Sequence, residues 1–229
     1  MIQVSPNWRF IASFIAFATL AGWILALLGV GILTPSQILP AMKYCGIAAF
    51  AGVLAAITLN KHLWRVPFVR AFLHIPDLSG RWEGWRYRTL ERDWSPTAHE
   101  ITQSGLDIAA EAWGMKNWAR STSASIITDR HGGAVQLVWS YKAEVITPPS
   151  TVGGFHDGTH FLRLSRDSAQ QRHLDGKYVN DRLRQDGTLG GVGFIRLVWV
   201  GRASQGQLAF RDEASWGMPE PQDSPIHEL

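Results

Sequence analysis

Leu78-Ser79-Gly80-Arg81-Trp82-Glu83-Gly84-Trp85 is the stretch on which the reading of this chain turns. It alternates in steps of two, with Gly80, Trp82 and Gly84 on one side and Arg81, Glu83 and Trp85 on the other, the periodicity of a strand with two unlike faces. Continued, the first face carries Arg86 and Arg88 and the second Tyr87. Up to position 70 the sequence is largely apolar and has no acidic residue; after this stretch come short runs rich in Trp, Val, Ile, Thr and Tyr, broken by turn residues. The boundary divides the 229 residues into a membrane-type part and a β-rich part.

Charge follows the same division. Up to position 70 the charged residues are Arg9, Lys43, Lys61, Arg65 and Arg70, and all 19 acidic residues come later. The net charge of +3 therefore belongs to the first part. The β-rich part has no surplus cations with which to displace phosphate counterions, which excludes a nucleic-acid polymer as its partner. The single cysteine, Cys45, lies in an apolar segment and excludes both an intrachain disulfide and a Cys-rich zinc site.

Phe10 to Leu33 is uncharged and, at ~1.5 Å per residue, long enough to cross a hydrocarbon core of ~30 Å. Ile38 to Leu59 is interrupted only by Lys43, close enough to its end to snorkel, and Thr34-Pro35-Ser36 is the turn between the two. The expected organisation is a transmembrane hairpin in residues 1–62 with spans near 10–33 and 38–59, then a basic juxtamembrane linker at 63–77. A cytosolic β-barrel over 78–212 and a disordered tail over 213–229 complete it. The positive-inside rule places both termini in the cytosol, with Trp8 and Trp64 at the membrane interface. A cleaved signal peptide is the rival reading of the first segment; its length and the second span that follows argue against it. Ala18, Gly22 and Ala26 on the first segment, and Ala48, Gly52 and Ala56 on the second, give small-residue faces. These serve either packing within the hairpin or contact with a neighbouring copy.

Nine strand candidates follow: Gly80 to Glu91, Thr97 to Gln103, Leu106 to Trp113, Asn117 to Thr128, Ala134 to Ile146, Thr159 to Ser165, Arg172 to Asn180, Leu189 to Val200 and Gln207 to Arg211. Ser95-Pro96, Ser104-Gly105, Gly132-Gly133, Pro148-Pro149 and Asp186-Gly187 supply the breaks. The last candidate is the weakest, and without it the count is that of an eight-stranded antiparallel barrel with room for one small ligand. No crossover helix is visible, which argues against an α/β enzyme.

Alternation assigns the lining. Gly80 and Trp82 read as structural, the indole crossing the closed end, and Arg86 and Arg88 follow on the same inward face. Enclosed guanidinium groups need anionic partners. Trp139 and Tyr141 are taken as inward, and Tyr178 and Asn180 share one face of their strand. For Arg196 the direction stays open, because both faces of its strand are apolar. Core packing alone is the competing explanation for the aromatics. His156, Asp157 and His160 could hold a metal, but a satisfied loop cluster is the stronger reading. There is no phosphate loop, no His-Glu-x-x-His and no Gly-x-Ser-x-Gly, so the residues offer no catalytic apparatus.

Two apolar segments, a basic collar, and Ile75-Pro76-Asp77-Leu78-Ser79-Gly80-Arg81-Trp82-Glu83-Gly84 opening a β-barrel resemble the two-transmembrane β-barrel effectors of cyclic-oligonucleotide-based antiphage signalling (CBASS) systems. Leu174-Asp175-Gly176-Lys177-Tyr178 adds to the likeness, although Gly-x-Trp is shared with lipocalin-like and streptavidin-like barrels. The resemblance implies a non-enzymatic protein of the bacterial inner membrane. Its barrel would bind a cyclic dinucleotide from a partner nucleotidyltransferase, self-associate and disrupt the membrane in abortive infection. No cofactor is implied beyond that activating ligand. Arg86, Arg88 or Arg196 could then meet phosphates, with Trp139, Tyr141 or Tyr178 against bases and Asn180 at a base edge. Two other readings stay open: a membrane-tethered lipocalin-like carrier of a lipid or apolar metabolite, and a structural anchor whose barrel recruits proteins.

Overall fold

The computed structural model describes residues 20, 24, 46–47, 49–58, 61–69, 76–105, 107–115, 117–128, 134–145, 155–183, 189–202 and 220–222. Most of the two apolar segments, the strand candidate Gln207 to Arg211 and most of the tail expected over 213–229 lie outside these residues. The chain forms two compact units, one comprising Met1–Asp77 with Ser104–Asp107, the other Leu78–Gln103 with Ile108–Leu229.

In the first unit residues 49–58 are helical. The Thr58 hydroxyl donates to the Leu54 carbonyl at 2.8 Å, and a 3₁₀ turn over Leu63–Arg65 follows. Trp64 on that turn is buried, with the Arg65 guanidinium 5.4 Å from its ring centroid. Among the described residues no helix is long and apolar enough to cross a membrane.

The second unit is a closed barrel of eight strands: β1 (Gly80–Arg88), β2 (Asp93–Gln103), β3 (Ile108–Gly114), β4 (Asn117–Thr128), β5 (Val135–Val145), β6 (Phe155–Arg166), β7 (Arg172–Leu183) and β8 (Leu189–Gly201). Every neighbouring pair is antiparallel, and β8 closes onto β1 from Arg88 opposite Gly193 to Arg81 opposite Gly201. Gly80 opens β1 at φ 123°, where a Cβ would stand 2.2 Å from the Gly201 carbonyl oxygen, so closure needs glycine at this position.

Two sequence expectations are corrected. Ser95-Pro96 does not break the chain but lies within β2, with Pro96 opposite Trp85. The β2–β3 ladder begins only at Thr97, so at Pro96 the strand has one neighbour, a place that tolerates a residue without an N–H. The segment from Phe155, read as loop as far as Thr159, is the start of β6.

The register gives each strand its inward face. Trp82 faces His99 and Trp199 across the ladders, and Leu137, Leu162, Leu174 and Leu197 complete a fully buried layer around it. The Trp82 indole donates to the Leu78 carbonyl at 2.9 Å, and Arg172 lies 5.1 Å from the Trp82 ring and 5.2 Å from that of Trp199. This end of the barrel is shut. The outward face of β1 is buried as well: Arg81 is 1% exposed and ion-paired to Glu83 at 2.9 Å and Glu100 at 3.1 Å.

Candidate functional site

Beyond the leucine layer the lining changes chemistry. His99 from β2, Trp139 and Tyr141 from β5, His160 from β6 and Tyr178 from β7 all point inward and touch ring to ring. His160 is the hub. Its ring centroid lies 4.4 Å from Trp139, 4.7 Å from Tyr141, 5.2 Å from His99 and 5.8 Å from Tyr178, and only the His99 pair is stacked. Glycines make the room. A Cβ on Gly158 would stand 2.4 Å from the Tyr141 ring, and one on Gly193 would stand 2.4 Å from Tyr178.

Arg86 lies past these rings. With Thr97, Asn117, His99, Tyr141 and His160 it lines a cavity of ≈ 20 Å³, walled by Ala112, Gly114 and Ala119. That is room for a single water molecule. Ser95 donates its hydroxyl to the Arg86 carbonyl at 3.3 Å. The guanidinium itself has no carboxylate within ion-pair reach among the described residues, and its Nε is buried without a hydrogen-bond partner.

Its positive charge acts on groups already disfavoured by burial. The His99 imidazole is pushed down to about 3, by desolvation first and then by Arg86 and Arg81. His160 is held well below the usual imidazole range by burial, with His99 and Arg86 adding to the effect. Toward the mouth of the barrel, His156 is lowered by burial and by Arg182. The Tyr141 phenol is raised by burial, against the pull of Arg86 and a hydrogen bond to Asn180. At neutral pH the imidazoles are uncharged, so Arg86 stands as a cation among neutral rings. Nδ1 of His160, Nδ1 of His156 and Nε1 of Trp139 are also buried without partners. An interior that leaves this many donors and acceptors open is arranged to receive a polar ligand or ordered water.

The sequence reading is thus met unevenly. Arg86, Trp139, Tyr141, Tyr178 and Asn180 share the interior, with Asn180 also accepting the Arg182 N–H at 3.3 Å. Arg88, expected inside, stands at the rim: it pairs with Asp93 and with Glu91 at 3.9 Å, and its side chain is about one third exposed. Arg196, whose direction the sequence left open, lies on the outer face opposite Trp85 and 5.5 Å from the Trp94 ring. It does not join Arg86. Gly80 and Trp82 hold the closed end.

His99, Thr97 and Asn117 were missed. A signal existed for His99, which falls on the same alternating face as Thr97 and Ile101. His156 and His160, four apart on one strand, face inward together, whereas Asp157 points away and its N–H donates to Asp181 at 2.7 Å. The loop-cluster expectation for these three is therefore corrected. Among the described residues no group of three or more His, Cys, Asp or Glu is placed to hold a metal ion. No protein-family model matches this chain, and no curated protein is similar to it.

Proposed function

We propose that the chain is a membrane-tethered sensor of a small anion, and that its ligand is a cyclic dinucleotide supplied by a partner nucleotidyltransferase in antiviral defence. The observation that carries this reading is Arg86: a guanidinium inside a barrel, without a carboxylate partner among the described residues and surrounded by neutral rings. Such a group favours a phosphate, which would satisfy it with charge-assisted hydrogen bonds. Tyr141 and Tyr178 offer flat faces for bases, and Asn180 offers an amide for a base edge.

The cavity of ≈ 20 Å³ is far smaller than such a ligand. Entry therefore requires the rings around His160 to part and the mouth of the barrel to change shape. That coupling is what a sensor needs, because a ligand shifts an equilibrium only through unequal affinity for the two states. In this reading the altered barrels cluster in the inner membrane, and clustering of their anchors disrupts it. The protein needs no catalytic group of its own.

The apolar-carrier reading predicts an apolar lining with Arg86 and Arg88 at the rim, whereas Arg86 lines the interior cavity together with Thr97, His99, Asn117 and His160. Calorimetric titration of the full chain in detergent micelles with a panel of cyclic dinucleotides provides the test. Binding should be lost by roughly 10- to 100-fold in Arg86→Ala, which removes one charge-assisted contact. No heat with any member of the panel, or equal affinity in Arg86→Ala, would overturn the proposal.

A further inference from the structure

The barrel closes around all eight strands, but not along their whole length. β3 pairs with β4 only from Glu111 opposite Arg120 to Gly114 opposite Asn117. One step on, the Ala110 N–H turns to the hydroxyl of Ser121 at 3.0 Å, a side chain in place of a carbonyl. A bulge between Ser121 and Ser123 then bends β4, which runs on to Thr128 with β5 as its neighbour as far as Thr128 opposite Val135. Among the described residues nothing pairs with the other side of Thr122–Thr128. Thr122, Ser123, Ile127 and Thr128 are exposed.

Past its bulge this edge carries neither the charge nor the proline that usually guards against strand addition. Thr122-Ser123-Ala124-Ser125-Ile126-Ile127-Thr128 has no charge, no proline and no glycine, and it combines β-branched residues with small ones. On its N-terminal side Arg120 is paired with Glu111 at 3.1 Å, and in sequence the oppositely charged Asp129 and Arg130 follow Thr128.

We propose that the open edge of β4 is the surface through which two copies of this chain associate, the two segments pairing antiparallel about a twofold axis. An identical partner suits it because an uncharged segment meets no like-charge opposition from its own copy, and antiparallel self-pairing is closed and isologous. Backbone groups left over by β3 supply the hydrogen bonds, as in strand addition generally. The choice of a second copy rests on the proposed function, in which copies gather in one membrane and a short strand pair gains from their high local concentration.

The test uses the full chain in lipid vesicles on a Cys45→Ser background, without ligand. Ser123→Cys, Ser125→Cys and Ile127→Cys are oxidised in turn, with Ser165→Cys on the outside of β6 as the control. Facing residues of an antiparallel pair stand ~4.5–5.5 Å apart at Cα, within disulfide reach. One of the three positions should crosslink at least five-fold more than the control, and the others less according to register; no excess over the control overturns the proposal.

A charge-swap experiment guards against misfolding. Ile127→Lys alone and Ile127→Glu alone should each lose association, and an equal mixture should recover it. A mixture no better than either variant alone also overturns the proposal. Crosslinking without dinucleotide binding would remove the proposed ligand and leave the edge standing. Dinucleotide binding without crosslinking would do the reverse.

Discussion

The two ends of the barrel interior are built from the same alternating strands and solve opposite problems. Around Trp82 the inward-facing ring nitrogens are met: the indoles of Trp82 and Trp199 donate to the carbonyls of Leu78 and Ser79, and the Leu78 N–H donates to Gln103 at 2.8 Å. Around Arg86 they are left open, on Arg86, Trp139, His156 and His160. The difference teaches where stability is made and where it is given up. A buried polar atom without a partner costs about 1–3 kcal/mol, so the Arg86 end is retained against its own contribution to folding.

Three measurements break or sharpen this contrast, and the largest effect belongs to the closed end. Trp82→Ala empties a fully buried position under Arg172 and should cost about 3–5 kcal/mol in urea unfolding followed by far-UV circular dichroism. A loss under 1 kcal/mol would show that the closed end is not the anchor of the fold.

Acid comes next. His99 and His160 titrate lower in the folded chain than in the unfolded one, so their contribution is intact above about pH 6.5. It is lost as pH falls from there toward about 3, the value to which His99 is pushed. His99 should cost about 1.4 kcal/mol per pH unit within that window, and His160 adds in the same direction. His99→Gln should flatten the slope between pH 6 and 4 relative to the unsubstituted protein; an unchanged slope would assign the acid sensitivity elsewhere.

The smallest effect has the most informative sign. Arg86→Met removes a cation with no carboxylate at hand and keeps the aliphatic stem, so the ligand-free protein should gain about 1 kcal/mol. A clear loss would mean that Arg86 serves the fold, and the contrast between the two ends would collapse.

Much of this was legible in the residues. Alternation around Gly80-Arg81-Trp82 placed Trp82 and Arg86 on one inward face, and the runs through Trp139-Tyr141 and Tyr178-Asn180 were assigned to the lining where the structure puts them. Arg196 was not assignable. Its strand is apolar on both faces, since the outer side of the sheet near β1 and β8 is itself buried, with Val198 at 1% exposure. Arg88 shared the inward parity of Arg86 but lies at the strand end, where Glu91 and Asp93 draw it to the rim. Parity gives a side and not a depth.

The order of residues by itself determined that eight strands form, which side of β1 and β5 faces inward and the identity of the closing tryptophan, because a two-residue period and turn chemistry are local properties. Only the tertiary structure decided that His99 would stack on His160, sixty-one positions away, that Arg86 would stand among neutral rings, and that β4 would outrun β3. Each of these depends on which strands become neighbours and how far their ladders extend. Closure sets those quantities for the whole sheet at once, and no single segment encodes them.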